Sequence, residues 1–418
     1  MTERPMSSEK PAEADLPLAG VRIVAVEQYG AGPFATMYLS DMGAEVIKIE
    51  PPARGRAPGG DSSRQSGPFF LADNESHFFQ AFNLGKKSLV LDIRQPEGRE
   101  VLHRLVATAD AVVNNLRGDQ PASLGLDYET LGKVKPSIVC AHLSGYGRAG
   151  ERATRPAYDY LIQAEAGFMD MTGEPDRMPT RMGLSVVDYL TGITTAFALT
   201  AALFGAARSG RGRDVDVTLY DVAMHQLTYP ATWYLNEGYA AERRPRSGHP
   251  MAVPCELFPT QDGNIFIMCI LPKFWERLCR IVGLEELIED ARFKTPKNRF
   301  ANRDALVALL DAALARRSTA EWMSVMAGQI PAAPMLSLPQ ALDNPYFAQT
   351  GGLQTVDHPD REGLRVLSSP IRLDGERVPA RPAPRLGQDT DAIIASLGYD
   401  EAAIAELRRK AVIQEERR

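Results

Sequence analysis

The chain has 418 residues, 44% of them hydrophobic, which is ample for a large core and for about two or three domains. Its 47 basic and 53 acidic residues give a net charge of −6, which argues against a nucleic acid partner and requires any anionic ligand to be held by local Arg or Lys. Cys140, Cys255, Cys269 and Cys279 lie in apolar surroundings without a CxxC pair, so they read as buried free thiols of a reducing cytoplasm rather than as zinc ligands.

Residues 1–17 are polar, mix Pro, Ser and both charge signs, lack the apolar core of a signal peptide, and read as a disordered tail. Residues 21–26 (VRIVAV) read as a buried strand. A glycine turn follows, and Pro33 is placed as the first residue of a helix running to about Met42. Residues 45–49 (EVIKI) and 88–92 (SLVLD) are the next strands. After Pro96, Val101, Leu102, Leu105 and Val106 share one helical face. Residues 111–114 (AVVN) and 137–142 (SIVCAH) are two more strands, with a helix near 127–134 between them. This alternation predicts an α/β fold with a mainly parallel sheet covered on both faces.

Residues 189–207 carry no charge over 19 residues, close to the length of a membrane span. Four Thr, two Gly, many Ala and the lack of a second such stretch favour a helix buried between protein layers, with no membrane contact. After about residue 225 the character changes. Residues 243–250 (RRPRSGHP) are a basic loop, and 255–270 form a hairpin turning at Asp262-Gly263. Helical patterns follow at 273–282, 303–316 and 319–327, with capping-box spacing between Ser318 and Glu321. These make a smaller α+β domain, which a proline-rich run from Ile330 to Pro339 leaves. A short strand near 364–373, a helix at 389–397 and another from Glu401 end the chain.

Two features carry chemistry. Gly30-Ala-Gly-Pro-Phe-Ala35 satisfies the GxGxxG/A pattern between a strand and a helix, and Glu50 closes the second strand about 20 residues on, where a ribose-binding acid is expected. Taken alone this suggests NAD. A glycine turn and a helix N-terminus also suit any other phosphate-bearing cofactor. Asp188 stands just before the uncharged helix, where a carboxylate caps free backbone N–H groups.

The segments at 21–50 (VRIVAVEQYGAGPFATMYLSDMGAEVIKIE), 82–98 (FNLGKKSLVLDIRQPEG) and 109–119 (ADAVVNNLRGD) together resemble the family III CoA-transferases. So do LSGYG at 143–147, RPAYDYLIQAEAG at 155–167, RMGLSVVDYLTG at 181–192, SGRGRDVDVTLYD at 209–221 and APRLGQDTDAIIASLGYD at 383–400. This is the group of formyl-CoA and carnitine CoA-transferases, with α-methylacyl-CoA racemase as a relative. The resemblance spans about residues 18–413 and rests on the order and spacing of segments. It implies a large Rossmann-like domain made from both chain ends, a smaller inserted α+β domain, and an interlocked homodimer. The boundaries become 18–225 for the first part of the large CoA-binding domain, 226–330 for the small domain, and 331–418 for the return segment.

The resemblance also implies an activity. CoA passes from an acyl-CoA to a small carboxylic acid, dicarboxylic acids included, with coenzyme A as substrate, no tightly bound cofactor and no metal. Asp188 matches the family's catalytic aspartate, which forms acyl anhydrides and a CoA thioester. Ala31, Leu91, Arg94, Asn115, Leu116, Arg117 and Tyr158 match CoA-contacting positions. Arg94 and Arg117 equally suit solvated surface charges. Pro51 and Ser123 replace basic residues of the family, so the adenine end is expected to be held differently. Racemases have a His where this chain has Tyr158, beside Asp159; a tyrosine of unperturbed pKa about 10 is a poor base, which disfavours racemase chemistry. Tyr158 and Asp159 also suit plain packing, and a non-catalytic CoA-binding protein is a further alternative. Arg177 and Arg181 suit either a second substrate carboxylate or loop pairing. His249 falls in the segment matching the active-site loop, and suits a structural role as well.

Overall fold

A computed structural model of the chain describes residues 15–72 and 75–414. They form two compact units. The first contains the described residues up to Ile162, then Leu184–Gln226, and the chain from Pro345 on. The second contains Gln163–Gly183 and Leu227–Asn344, so it runs past residue 330 and takes in a segment from within the 18–225 stretch.

The first unit is built on six strands: β1 (Arg22–Val26), β2 (Glu45–Glu50), β3 (Lys87–Val90), β4 (Ala111–Asn114), β5 (Val139–Ser144) and β6 (Arg213–Thr218). Every pairing is parallel, and the spatial order is β3-β2-β1-β4-β5-β6. In this doubly wound order the chain builds outward from β1 in one direction and then resumes at β4 in the other. The crevice for a ligand opens at the carboxyl ends of β1 and β4, where the winding reverses. The register sets Val26 beside Asn114, so Glu27–Gly30 and Asn115–Arg117 flank that crevice.

Three helices matter most: α1 (Ala31–Asp41), α2 (Pro96–Thr108) and α3 (Val186–Ser209). Successive strand residues face opposite sides of the sheet. Ile23, Ala25, Val46, Val113 and Val139 pack with Leu39 of α1 and with Leu199 and Ala206 of α3. On the other face Val24, Ile47, Leu89 and Val112 pack with Val101 and Leu105 of α2. Ile393, Ile404 and Leu407, from the helices Thr390–Ser396 and Glu401–Arg409, complete that second layer. Each such fully buried aliphatic side chain contributes about 1.5–3 kcal/mol, so the chain's end is bound to the sheet begun by its start.

Several expectations need correction. The helix of the glycine turn begins at Ala31, and Pro33 is its third residue. Residues 1–14 of the expected tail lie outside the described residues. Leu16 is buried and the Leu18 N–H reaches the Met42 carbonyl at 2.8 Å, so the fold begins before residue 18. The helix near 127–134 is one turn, Tyr128–Leu131. Strand β6 escaped notice, although Arg-Asp-Val-Asp-Val-Thr alternates with period two. Finally, α3 is not sandwiched within a single chain. Val187, Thr191, Thr195, Leu199 and Ala206 form its buried stripe, while Ile193, Phe197 and Phe204 are exposed.

In the second unit, Cys255–Pro259 and Asn264–Met268 form the hairpin turning at Asp262-Gly263, and Ala332–Pro334 extends it to three antiparallel strands. Phe258, Ile265 and Ile267 pack with Trp275, Leu278, Leu306, Leu310 and Trp322 from the covering helices. Ser318 and Glu321 form the expected capping box. All four cysteines are free and buried. Burial pushes the Cys269 and Cys279 thiols up to about 12, which leaves them unreactive.

Candidate active site

Asp188 is not the cap of α3. Ser185 holds that position, and Asp188 is the third residue of the first turn. The capping carboxylate belongs to Asp159, a buried residue whose Oδ2 accepts the Asp188 N–H at 2.9 Å. The Asp188 side chain is thereby released from helix capping and turns toward α1. A Cβ added at Gly30 would overlap Oδ2 of Asp188 and stand 3.1 Å from its Cγ. Close approach of α1 and α3 depends on a second glycine, Gly192, where an added Cβ would lie 2.9 Å from the Ala31 carbonyl oxygen.

Among the described residues no group donates a hydrogen bond to the Asp188 carboxylate. Burial first, and then the negative charge of Asp159, push its pKa up to about 7. A helix N-terminus lies close by and favours negative charge. Phe34 begins the intrahelical pattern of α1 by bonding Gly30 O at 2.9 Å, and Pro33 has no N–H. Among the described residues the amides of Ala31 and Gly32 have no acceptor and are the unpaired donors of that terminus. The site therefore combines a carboxylate without donors and donors without a carboxylate.

The two strand ends of the crevice are laced together. The side-chain amide of Asn115 accepts the Gln28 N–H at 2.9 Å and donates to the Gln28 carbonyl at 2.6 Å. Gly32 allows this approach, since a Cβ there would sit 2.9 Å from Asn115 Cβ. A run of rings follows, with centroid separations of 5.0 Å for Tyr29–Phe78, 5.1 Å for Phe78–Phe82, 6.1 Å for Phe82–Tyr189 and 4.9 Å for Tyr189–Phe34. Tyr189 directly follows Asp188, and burial together with the Asp188 charge raises its phenol. Sequence reading missed this wall, because its members come from separate segments. A cavity of about 400 Å³ is lined by Phe34, Tyr38, His77 and Leu364, and Asp188 is not part of its lining.

The expected CoA contacts fall into two groups. Ala31 and Asn115 lie at the crevice, and Leu116, half-buried, packs on the sheet core beside it. Tyr158, 66% exposed, precedes the Asp159 that holds Asp188. Leu91 and Arg94 follow β3, which β2 separates from β1. Leu91 is buried and bridged to Ile413; the Arg94 side chain is exposed, and its N–H is bound to Asp92 at 3.2 Å. Arg117 is exposed and grips Asp119 through two bonds of 2.6 and 2.8 Å. Pro51 and Ser123 are both exposed, and the Ser123 hydroxyl is turned back onto Gln120 O at 2.8 Å.

In the second unit, Arg177 is exposed, and Arg181 bonds the carbonyls of Met182 and Gly183 at 2.8 and 3.1 Å. His249 Nδ1 accepts the Met251 and Ala252 N–H groups, each at 3.1 Å, while burial and Arg303 lower its pKa. It is a neutral ring holding a turn.

The dinucleotide alternative fails at Glu50, which is fully buried. Its Oε1 accepts from Arg64 and Ser88 at 2.8 and 2.6 Å, and its Oε2 from Arg64 and the Asp61 N–H at 2.7 and 2.8 Å. No lone pair faces a ribose.

Comparison with known proteins shows the family. The profile described as CoA-transferase family III matches residues 18–390. The chain is 34% identical over 417 residues to the succinyl-CoA:glutarate CoA-transferase of Mus musculus, covering 99% of this chain and 93% of that protein. It is 33% identical over 402 residues to the acetyl-CoA:oxalate CoA-transferase of Acetobacter aceti, covering 95% and 100%. The crystal structure of a CAIB/BAIF family protein from Brucella suis is similar at a TM-score of 0.79 and 34% identity, over 91% of this chain and 99% of that one. The chain is an enzyme of CoA-transferase family III and belongs to that family over nearly its whole length.

Proposed function

We propose that the enzyme moves CoA from an acyl-CoA to a small dicarboxylic acid, with Asp188 as nucleophile. The observation that carries this is the state of the Asp188 carboxylate. It accepts no hydrogen bond among the described residues, it is raised toward neutrality, and it rests against Gly30, the residue just before the amides of Ala31 and Gly32 at the α1 N-terminus. Relatives named for succinate, glutarate, oxalate and mesaconate support the acid class.

The Asp188 carboxylate attacks the thioester carbonyl, the C–S bond breaks, and CoA leaves as thiolate with an aspartyl-acyl anhydride behind it. The thiolate attacks the Asp188 carbonyl, expels the donor acid as carboxylate, and leaves an aspartyl-CoA thioester. The acceptor carboxylate attacks that thioester, the C–S bond breaks, and CoA leaves again as thiolate with a second anhydride behind it. Thiolate then attacks the acceptor's acyl carbon and regenerates Asp188. Each addition places negative charge on a carbonyl oxygen, and the Ala31 and Gly32 amides are the donors offered to it. The ring wall from Tyr29 to Tyr189 keeps water from the anhydrides.

Ala31, Asn115, Leu116 and Tyr158 border the thioester end of CoA in this reading. Leu91, Arg94 and Arg117 lie toward its nucleotide end, where Arg117 exchanges Asp119 for a phosphate. The exposed stripe of α3 supports a homodimer, and the four buried free thiols support a cytoplasmic setting. Racemase chemistry is disfavoured, since Asp159 is engaged with the Asp188 amide and its neighbour is an exposed tyrosine.

The test is intact-protein mass spectrometry after incubation with succinyl-CoA and a panel of acids. A CoA adduct mapped to Asp188, which disappears when acceptor is added, is expected. Full transfer activity in Asp188→Ala sinks the proposal.

A further inference from the structure

Behind Gly30 lies a cluster of charged side chains that the chemistry above does not use. Lys48 is fully enclosed and binds Asp61 Oδ2 at 2.8 Å and the Glu27 carbonyl at 3.0 Å. Lys86, equally enclosed, binds Glu27 Oε1 at 2.8 Å, the Pro33 carbonyl at 2.9 Å and Asn83 Oδ1 at 3.0 Å. Asp61 accepts the Tyr29 N–H at 3.1 and 3.3 Å and the Ser63 N–H at 2.8 Å. The Asp61 N–H in turn donates to Glu50, which Arg64 holds from the far side. Three buried charges thus reach main-chain atoms of residues 27, 29 and 33, on both sides of Gly30.

Tyr29 is the strained point of this frame. Its φ of +68° is left-handed, a region that side chains other than Gly enter at a cost and hold only when their surroundings impose it. The next residue is Gly30, against which the Asp188 carboxylate rests. Stability alone does not call for such a network, since apolar side chains of similar volume serve a core as well or better.

We propose that Asp61 is a positioning residue for acyl transfer at Asp188. By holding the Tyr29 N–H it fixes the left-handed turn that sets Gly30, and with it the start of α1, against the nucleophile. The proposal rests on Asp188 as the nucleophile.

The experiment uses the full chain with succinyl-CoA as probe and compares wild type, Asp61→Ala and Asp61→Asn. It measures the rate of Asp188 adduct formation in a single turnover, the final adduct per chain, steady-state kcat and KM, and thermal melting. Asp61→Ala removes the acceptor; Asp61→Asn keeps the shape and one acceptor oxygen. The expected result is adduct formation slowed about 10- to 100-fold per active chain in Asp61→Ala and by a smaller factor in Asp61→Asn. KM changes by less than about threefold, because the loss lies in alignment and not in binding. If Asp61→Ala does not fold, the slowed rate in Asp61→Asn decides. A purely structural role gives fewer active chains, each reacting at the wild-type rate, and overturns the proposal. So does an unchanged rate in the folded variants. A wild-type enzyme that turns over without any Asp188 adduct refutes the nucleophile reading itself, a separate failure that takes the positioning role with it.

Discussion

The carboxylate of Asp188 and the Cα of Gly30 are packed so closely that no side chain fits between them: a Cβ at Gly30 would overlap Oδ2 and stand 3.1 Å from Cγ. Gly30→Ala therefore pushes the carboxylate away from the α1 terminus. A displacement of about 1 Å at a nucleophile costs on the order of 100-fold in rate. The expected outcome is a kcat lower by about that factor, with a stability loss of roughly 1–3 kcal/mol from overpacking. Steady-state kinetics and urea denaturation of the purified variant check both. A wild-type kcat in Gly30→Ala means that the reacting carboxylate is not the one against Gly30.

The raised pKa of Asp188 sets a pH dependence. Attack requires the carboxylate, so kcat/KM for the acyl-CoA is expected to rise as pH passes upward through about 7. Asp159 is the second cause of the shift, and its charge raises the value. In Asp159→Asn an amide oxygen still accepts the Asp188 N–H, but the charge is gone. The limb then moves to lower pH. The measurement is a pair of pH–rate profiles, and an unmoved limb in the variant excludes Asp159 as a source of the shift.

The same shift has a stability consequence of fixed sign. Ionisation of Asp188 is harder in the folded chain than in the unfolded one, where an aspartate has a pKa of about 3.9. The penalty on the fold is absent below about pH 4, grows as pH rises, and is complete above about pH 7. Asp188→Asn removes it. After allowance for solvent screening at a half-buried site, the variant is expected to be more stable by roughly 1–2 kcal/mol at about pH 8, with the gain fading toward about pH 4. Chemical denaturation at several pH values checks this, and a gain that grows with acidity contradicts the assignment.

Arg64 is fully buried, pairs with both oxygens of Glu50 and with Glu75 at 2.6 Å, and stacks 3.6 Å from the centre of the Phe79 ring. Arg64→Met keeps much of the bulk and deletes the charge, leaving Glu50 enclosed without its main counter-ion. A loss of about 3–5 kcal/mol is expected, larger at high pH where Glu50 must stay ionised. Equilibrium denaturation reads it. A loss under about 1 kcal/mol means that water or a shifted side chain takes over the pairing.

These residues also mark where the sequence stops being legible. The strands at 21–26, 45–49 and 111–114 declare themselves because a strand buried on both faces is rich in Val and Ile, even with Arg22 or Lys48 inside it. β6 does not, because Asp214 and Asp216 interrupt it at an edge of the sheet. Asp188 was singled out by family resemblance, and its local place was misread: a favoured capping residue beside a helix suggests a cap, and only the fold shows Asp159 in that role from 29 positions away. Asp61, Arg64 and Glu75 left no periodic signal at all. Charged residues between strands read as surface, and their burial depends on partners at Lys48, Glu50 and Tyr29 that no local pattern joins to them.

The exposed stripe of α3 leads to the last prediction. Phe197 and Phe204 are 76% and 65% exposed in the single chain and share a face with Ile193. Seven residues separate the two rings, so they stand about two helical turns apart on one line. An aligned apolar stripe of this kind on a helix uncharged from residue 189 to 207 marks an association surface. A second copy of the chain is the expected occupant, as the family resemblance implies. Light scattering of the purified protein is expected to give a homodimer. Phe197→Glu with Phe204→Glu places two charges on the stripe without touching its buried side, and is expected to weaken assembly and activity together while a monomer measured alone retains its helical circular dichroism. A wild-type protein that stays monomeric at about ten micromolar, with full transfer activity, removes the dimer from the account and leaves Asp188 working within one chain.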